Sequence, residues 1–208
     1  MRPLLALVLV PLTLALAGPV PAEGAAVIAV LGDSLTAGLG VAADEAFPAR
    51  LQARLRREGY DYRVVNAGVS GDTTAGGRRR VDWVLRSKPD IVIVALGAND
   101  GLRGQSPAAM RDNLEAIIGR LTASGARVLL TGMRMPPNYG AEYTQEFAAV
   151  FPAVARQTGA VLMPFLLEGV AADSRLLQPD GLHPSAAGHQ VIADRLWLYL
   201  APLLRRSG

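Results

Sequence analysis

The stretch Ile91-Val92-Ile93-Val94-Ala95-Leu96 decides the fold class, because six apolar residues follow one another with no polar residue between them. A strand with one exposed face alternates apolar and polar side chains, whereas a strand buried on both faces does not. Strands of the second kind occur in parallel sheets that helices cover on both sides. We therefore place residues 91–96 at the centre of a parallel sheet.

Outward from this strand, short apolar runs alternate with longer segments of helical period. The other strands are predicted at 27–31, 62–66, Arg127–Thr131 and 160–163. The helices are predicted at 47–58, Thr74–Leu85, 107–124, 139–157 and 186–204, and 164–171 is left open between a short helix and a loop. This alternation, with right-handed crossovers, predicts an α/β fold with a doubly wound, five-stranded parallel sheet in the flavodoxin-like order 2-1-3-4-5.

The N-terminal segment has the pattern of an export signal. Arg2 precedes an apolar run at 4–17, and Val20-Pro21-Ala22 offers small residues where a signal peptidase cuts. We interpret 1–22 as a cleavable signal peptide and 23–208 as one domain, which predicts a periplasmic or secreted protein. A membrane anchor is the alternative, but about 14 apolar residues fall short of the roughly 20 that span a bilayer. No stable membrane insertion is expected after removal of the signal.

Composition argues against two other classes of protein. The chain has no cysteine and only two histidines, so neither disulfides nor a metal site are expected. Its net charge is +3, and its only basic cluster is Arg78-Arg79-Arg80. We interpret that cluster as a solvated helix face, so no nucleic-acid partner is predicted. The sequence leaves the oligomeric state open.

Polar clusters follow the first three predicted strands, and a fourth precedes the last helix. They are Gly32-Asp33-Ser34-Leu35-Thr36, Asn66-Ala67-Gly68-Val69-Ser70-Gly71-Asp72-Thr73, Gly97-Ala98-Asn99-Asp100-Gly101 and Asp180-Gly181-Leu182-His183-Pro184. Each cluster alone is a common loop sequence. Ligands bind beyond the carboxyl ends of parallel strands, so all four clusters in this order, three of them at strand ends of one sheet, predict one site.

These residue types fit nucleophilic catalysis by a serine. A serine hydroxyl needs a base within hydrogen-bonding reach and a third group that orients the base. Ser34 is the candidate nucleophile, His183 the base and Asp180, three residues earlier, the orienting carboxylate. The backbone N–H groups of Ser34 and Gly71 and the side-chain amide of Asn99 are the candidate donors for an oxyanion.

The four clusters resemble those of the SGNH, or GDSL-type, hydrolase superfamily, which is named for Ser, Gly, Asn and His. The matching residues are Ser34, Gly71, Asn99 and His183. The similarity runs over about 27–203, and the stretches 64–67, 96–104 and 137–140 resemble the branch of periplasmic acyl-CoA thioesterases, lysophospholipases and arylesterases. It implies a three-layer α/β/α fold and a Ser34–His183–Asp180 triad. It also implies an oxyanion hole at Ser34, Gly71 and Asn99.

The resemblance implies an exported serine esterase or thioesterase that acts on a small-molecule acyl ester or thioester through an acyl-enzyme on Ser34, with no metal or other cofactor. A carbohydrate O-deacetylase of the same superfamily is an alternative, and a non-catalytic ligand-binding module is another. The resemblance also implies that the loop 101–106 is mobile and closes over the acyl chain.

The remaining residues of interest are predicted either to contact the acyl chain or to have structural roles. Leu102, Arg134, Met135 and Leu182, with Phe165, are the candidate contacts of an acyl chain. Asp33 and Asp100 are interpreted as turn residues, Asp72 as a helix cap and His189 as a surface or packing residue. Trp83, Trp197 and Tyr199 are assigned to the core.

Overall fold

A computed structural model describes residues 24–206, which form one α/β domain around a five-stranded sheet. The strands are β1 (Ala26–Gly32), β2 (Tyr62–Gly68), β3 (Ile91–Ala95), β4 (Arg127–Thr131) and β5 (Val161–Met163). All pairs are parallel and the order is β2-β1-β3-β4-β5. The predicted fold class and strand order are therefore confirmed.

Helices cover both faces of the sheet. They are α1 (Ser34–Ala37), α2 (Phe47–Arg57), α3 (Thr74–Leu85), α4 (Ala98–Leu102), α5 (Pro107–Ala123), α6 (Ala141–Thr158) and α7 (Ala186–Leu200). On one face α2 packs against α7, and on the other α5 lies between α3 and α6. The layers are therefore α/β/α.

The strand β3 occupies the middle of the sheet, as its unbroken apolar sequence predicts. All five of its residues are buried, and it pairs with β1 on one side and β4 on the other. Because β1, β2 and β3 run parallel, their carboxyl ends lie at one edge of the sheet. That edge carries the polar clusters.

Two helix ends differ from the prediction for reasons of backbone chemistry. The helix expected from 139 begins at Ala141, because Pro137–Tyr139 form a 3₁₀ turn and Gly140 has a φ of +87°. The helix expected to reach 204 ends at Leu200, because Pro202 has no N–H to donate to the helix. The undecided segment 164–171 forms turns and no helix.

The predicted signal peptide at 1–22 lies outside the described residues. Among residues 24–206, no helix is both long and apolar enough to cross a bilayer.

The burial of the tryptophan, tyrosine and histidine residues on the helices tests their predicted assignment to the core. Trp197 is buried and Tyr199 packs against the core from a half-buried position. Trp83 is 53% exposed, so its assignment to the core is wrong. Helix α3 instead turns Val81 and Val84 inward, on the face that packs toward the sheet and α5. His189 is a packing residue, as predicted.

His189 is a buried acceptor that must stay neutral in the folded state. It is 1% exposed, its ring stacks on Phe47, and its Nδ1 accepts the Phe47 N–H at 3.2 Å. Burial, together with the nearby charge of Arg50, lowers the pKa of His189 from 6.5 to about 4. The unfolded chain therefore binds more protons than the folded chain between these two values, and stability is lost as the pH falls through this window.

We expect the free energy of unfolding of the wild type, relative to His189→Asn, to decrease by up to about 3 kcal/mol as the pH falls from 7 to 4. Asparagine offers an acceptor in place of Nδ1 but does not titrate. Urea unfolding at each pH measures the difference. Asp33, whose pKa is raised by burial to about 6, produces the opposite slope in this range, but it is present in both proteins. A difference that does not vary with pH would contradict the assignment.

Candidate active site

Ser34 stands at the turn between β1 and α1, where it is the first residue of the helix. Asp33 caps this helix, because its Oδ1 accepts the Leu35 N–H at 3.0 Å. Gly32 is required here, since a Cβ atom at that position would collide with the Thr36 side chain. The tight strand-to-helix turn holds the half-buried Ser34 side chain beyond the end of the strand.

Ser34, His183 and Asp180 form a continuous chain of hydrogen bonds. The Ser34 Oγ lies 3.0 Å from His183 Nε2, and His183 Nδ1 lies 2.6 Å from Asp180 Oδ2. Asp180 Oδ1 also accepts the backbone N–H groups of Leu182, at 2.9 Å, and His183, at 3.0 Å. The pKa of Asp180 is lowered to about 2, chiefly by the hydrogen bond from the His183 backbone N–H and next by the bond to the His183 imidazole. The carboxylate is therefore ionised at neutral pH.

The side chain of Gln178 ties the histidine loop to the segment that follows Ser34. Its Nε2 donates to the carbonyl of Leu39 at 2.7 Å and to that of Pro184 at 2.9 Å. Its backbone N–H donates to the His183 carbonyl at 2.7 Å. Because Leu39 follows α1 and Pro184 follows the histidine, one amide links the two halves of the Ser34–His183 pair. Nothing in the sequence distinguished Gln178 beforehand.

Asn99 links the cavity that contains Ser34 to the loop that contains Gly71. Gly71 has a φ of +78°, a backbone conformation that favours glycine. Asn99 lines the same cavity as Ser34, and its Nδ2 donates to the carbonyl of Asp72, at 3.0 Å, directly after Gly71. Among the described residues, no hydrogen-bond acceptor engages the backbone N–H of Ser34 or Gly71.

Asp33 does more than form a turn. It is 1% exposed, and its Oδ2 lies 3.3 Å from Asn99 Nδ2. Burial raises its pKa from 3.8 to about 6, against the effect of the Leu35 N–H bond. The sequence predicted the turn, whereas the contact with Asn99 depends on the packing of β1 against β3.

Three charged side chains near the site have roles that differ from those interpreted from the sequence. Thr73, and not Asp72, caps α3 through its side chain. Asp100 is 2% exposed and accepts both the N–H and the hydroxyl of Thr74, so it joins α4 to the start of α3. The expectation that Arg78-Arg79-Arg80 is a solvated face is wrong for Arg80, which turns inward and binds Asp72 at 2.6 Å.

A mostly apolar cavity of about 150 Å³ opens beside Ser34 and His183. The predicted acyl contacts Leu102, Arg134, Met135 and Leu182 all line it. A second cavity of about 370 Å³ adjoins the first along Arg134–Pro136, Leu167 and Leu182, and Phe165 lines it with the Arg134 guanidinium above its ring. Met133 and Pro136, which follow the fourth strand, also line the cavities, as do Leu35, Ala98 and Gly181 of the polar clusters. The lining residues that the sequence did not suggest are Leu167, Ala171 and Leu177.

The loop 101–106 is held by side chains from two directions. Tyr139 donates to the Leu102 carbonyl at 3.2 Å, and Tyr143 donates to the Gln105 carbonyl at 2.9 Å. On the other side Arg103 Nη2 donates to the Gly71 carbonyl at 2.9 Å. The movement of this loop remains a prediction. Within 24–206, no three acidic, histidine or cysteine side chains come together as metal ligands.

Comparisons with known proteins agree with this fold. Residues 30–191 match the model of the GDSL-like lipase/acylhydrolase family. Esterase TesA of Pseudomonas aeruginosa is 47% identical over 176 residues, which cover 84% of this chain and 88% of that protein. The thioesterase 1/protease 1/lysophospholipase L1 of Escherichia coli K12 is 37% identical over 187 residues, 89% of this chain and 88% of that protein.

The fold also resembles a solved esterase structure. The psychrotrophic esterase EstA from a Pseudoalteromonas species, in a structure inhibited by monoethylphosphonate, superposes with a TM-score of 0.81 and is 36% identical. The match covers 85% of this chain and 97% of that one.

An α/β domain with a serine, a histidine and an aspartate joined at the carboxyl edge of its sheet, and with esterases as its relatives, is an ester hydrolase. The chain belongs to the GDSL-like lipase/acylhydrolase, or SGNH hydrolase, family.

Proposed function

We propose that the protein is an exported serine hydrolase that cleaves acyl esters and thioesters through an acyl-enzyme on Ser34. The observation that carries this proposal is the chain of contacts from Ser34 Oγ to His183 Nε2 and from His183 Nδ1 to Asp180, at 3.0 and 2.6 Å. A hydroxyl bonded to an imidazole, which is bonded in turn to an ionised carboxylate, is the arrangement that activates a serine as a nucleophile.

In the proposed reaction Ser34 Oγ attacks the acyl carbonyl carbon and its proton passes to His183 Nε2. The imidazolium, stabilised by Asp180 through Nδ1–H, then donates that proton to the leaving alcohol or thiol, and the acyl group stays on Ser34. Water attacks this ester while His183 accepts its proton. Return of the proton to Ser34 Oγ releases the carboxylic acid and restores the enzyme.

The oxyanion of each tetrahedral intermediate receives donors from three strand ends. The free N–H groups of Ser34 and Gly71 supply two of them. Asn99 supplies the third: its Nδ2 donates to the Asp72 carbonyl at 3.0 Å, which fixes the amide plane, and its longer 3.3 Å bond to Asp33 Oδ2 is exchanged for a bond to the oxyanion. Donors that are fixed before the reaction stabilise the developing charge without reorganisation.

Replacement of Asn99 by alanine is expected to lower kcat by about 10²–10³-fold and to leave KM nearly unchanged, since the lost donor acts on the developing charge. Steady-state kinetics with a nitrophenyl ester measure both constants, and thermal melting checks the fold. Asn113→Ala is the matched control, because Asn113 bonds Thr74 and Arg78 outside the cavity. A folded variant that loses less than tenfold in kcat removes Asn99 from the mechanism.

The two adjoining cavities favour an acyl chain longer than acetyl. Apolar side chains, chiefly leucine and methionine, form most of the lining, and each buried methylene contributes about 0.8 kcal/mol. A carbohydrate deacetylase, the alternative, has to place a hydrated sugar at the same mouth. The name of the E. coli relative includes both thioesterase and lysophospholipase, which supports inclusion of thioesters in the proposed range of substrates.

A panel of nitrophenyl esters, acyl-CoAs and acetylated sugars tests this assignment on the purified protein. We expect kcat/KM to rise from acetyl to medium-chain acyl groups and to be measurable for acyl-CoAs. Highest activity on acetyl groups, with a decrease for every added carbon, would favour the deacetylase. Absence of turnover of all acyl-CoAs would restrict the proposal to oxygen esters.

Export is proposed on the sequence of residues 1–22 alone. Mass spectrometry of protein from the envelope fraction of expressing bacteria is expected to find a mature N-terminus near Glu23. Recovery of the chain with Met1 intact in a membrane-bound form would favour the anchor.

A further inference from the structure

Arg80 occupies a position that differs from that of its basic neighbours on α3. Arg78 and Arg79 are exposed, whereas the Arg80 side chain is only 18% exposed. Its guanidinium makes three short hydrogen bonds, from Nε to Asp72 Oδ2 at 2.6 Å, from Nη1 to the Ala67 carbonyl at 2.6 Å and from Nη2 to the Gly32 carbonyl at 2.8 Å. A single side chain thereby joins the end of β1, the end of β2 and the loop after β2.

These bonds close a ring behind the proposed oxyanion hole. Gly32 is bonded covalently to Asp33, and the Asp33 carboxyl contacts the Asn99 amide. The Asn99 amide donates to the Asp72 carbonyl, and the Asp72 carboxylate binds Arg80. Arg80 completes the ring at the Gly32 carbonyl. Asn99 belongs to this ring, and Ser34 and Gly71 are the sequence neighbours of its members Asp33 and Asp72.

We propose that Arg80 is a positioning residue that fixes the relative placement of the Ser34, Gly71 and Asn99 donors; this inference rests on the function proposed above. Arg80 does not line the cavity and therefore acts through the backbone that it holds. Its role depends on the shape of the guanidinium, whose donors point in different directions in one plane. A lysine ammonium offers its three donors from a single nitrogen and cannot reach three separated acceptors.

The bonds of Arg80 constrain a loop that has few backbone bonds of its own, with Val69 N–H donating to the Gly32 carbonyl at 3.0 Å at its start. The segment from Val69 to Asp72 has one internal backbone bond, from the Asp72 N–H to the Val69 carbonyl, and Gly71 is exposed. Arg103 contacts the Gly71 carbonyl from the solvent side. Loss of Arg80 leaves the Asp72 carboxylate without its buried partner and lets the Gly71 N–H move. Displacement of a catalytic group by about 1 Å can cost about 10²-fold in rate.

The test compares Arg80→Lys and Arg80→Met with Arg79→Met, an exposed control on the same helix. Titration with a fluorophosphonate counts the labelled sites in each preparation, so kcat refers only to folded, reactive enzyme. We expect kcat per labelled site to fall by about 10–100-fold in both Arg80 variants, with KM within about twofold of the wild type. Arg79→Met is expected to match the wild type.

A second readout separates oxyanion placement from a purely structural role. Ser34 Oγ adds to the carbonyl carbon of an alkyl trifluoromethyl ketone, the serine proton passes to His183, and the ketone oxygen becomes an oxyanion. The matching methyl ketone binds without this addition. We expect the inhibition constant of the trifluoromethyl ketone to rise in Arg80→Lys by the factor by which kcat/KM falls. The inhibition constant of the methyl ketone is expected to stay constant.

The outcomes distinguish this inference from the proposed function. Wild-type kcat per labelled site in Arg80→Lys and Arg80→Met, or equal weakening of both ketones, overturns the role of Arg80 and leaves the serine mechanism intact. If Arg80→Met yields no labelled protein, Arg80→Lys alone decides. Failure of the fluorophosphonate to label Ser34 in the wild type contradicts the proposed function itself.

Discussion

Replacement of Ser34 by alanine is expected to lower kcat for nitrophenyl esters by about 10⁶-fold, because no other group can form the acyl-enzyme. The Ser34 Oγ is the atom that contacts His183 Nε2, at 3.0 Å. The hydrogen bonds that place His183 and Asp180 relative to each other do not involve this oxygen. The variant should therefore fold normally, with an unchanged melting temperature, and should still bind ester substrates.

Labelling with a fluorophosphonate gives an independent measure of the same prediction. Mass spectrometry of digested wild type is expected to find the probe on Ser34 only, and Ser34→Ala is expected to remain unlabelled. Ser124→Ala is the matched control: Ser124 ends α5, and its Oγ donates to the Leu121 carbonyl at 2.6 Å. Recovery of the probe on another serine, or retained activity in Ser34→Ala, would exclude Ser34 as the nucleophile.

Replacement of Asp180 by asparagine is expected to lower kcat by about 10⁴-fold while Ser34 and His183 remain in place. The carboxylate accepts the Nδ1–H of His183, which leaves Nε2 unprotonated and facing Ser34. An asparagine amide can donate to Nδ1 instead, and the proton then occupies Nε2. A histidine protonated at Nε2 cannot accept the proton of the serine.

Asp173→Asn is a matched control for this second variant. Asp173 lies on the same stretch of loop before α7, bonds Arg175, and its pKa is likewise lowered to about 2. Its side chain bonds Arg175 and makes no hydrogen bond to His183, so Asp173→Asn is expected to keep kcat within about twofold of the wild type. Equal losses in Asp173→Asn and Asp180→Asn would mean that loop charge, and not the orientation of His183, accounts for the effect.

The arrangement of Ser34, Asp180 and His183 was predictable because each lies in a local signal. Ser34 follows an apolar strand directly, and Asp180 and His183 are three residues apart on one loop. Parallel strands end at a common edge, so the topology brings together the clusters that follow β1, β2 and β3, whereas the loop of Asp180 and His183 does not follow a strand directly and reaches Ser34 through tertiary contacts. By contrast, the tether from Gln178 to Leu39 and Pro184 joins residues far apart in sequence and carries no local pattern.

The amino-acid sequence by itself determined the parallel sheet, its strand order and the residues at its carboxyl edge, because periodicity and strand–turn boundaries are properties of short segments. The tertiary structure alone decided which way individual polar and aromatic side chains point. Arg80 turns inward while Arg79 is exposed, Trp83 is exposed while Trp197 is buried, and the Asp33 carboxyl faces Asn99. The reason is physical: the direction of a side chain depends on what packs against its helix or turn, and those partners come from distant parts of the chain.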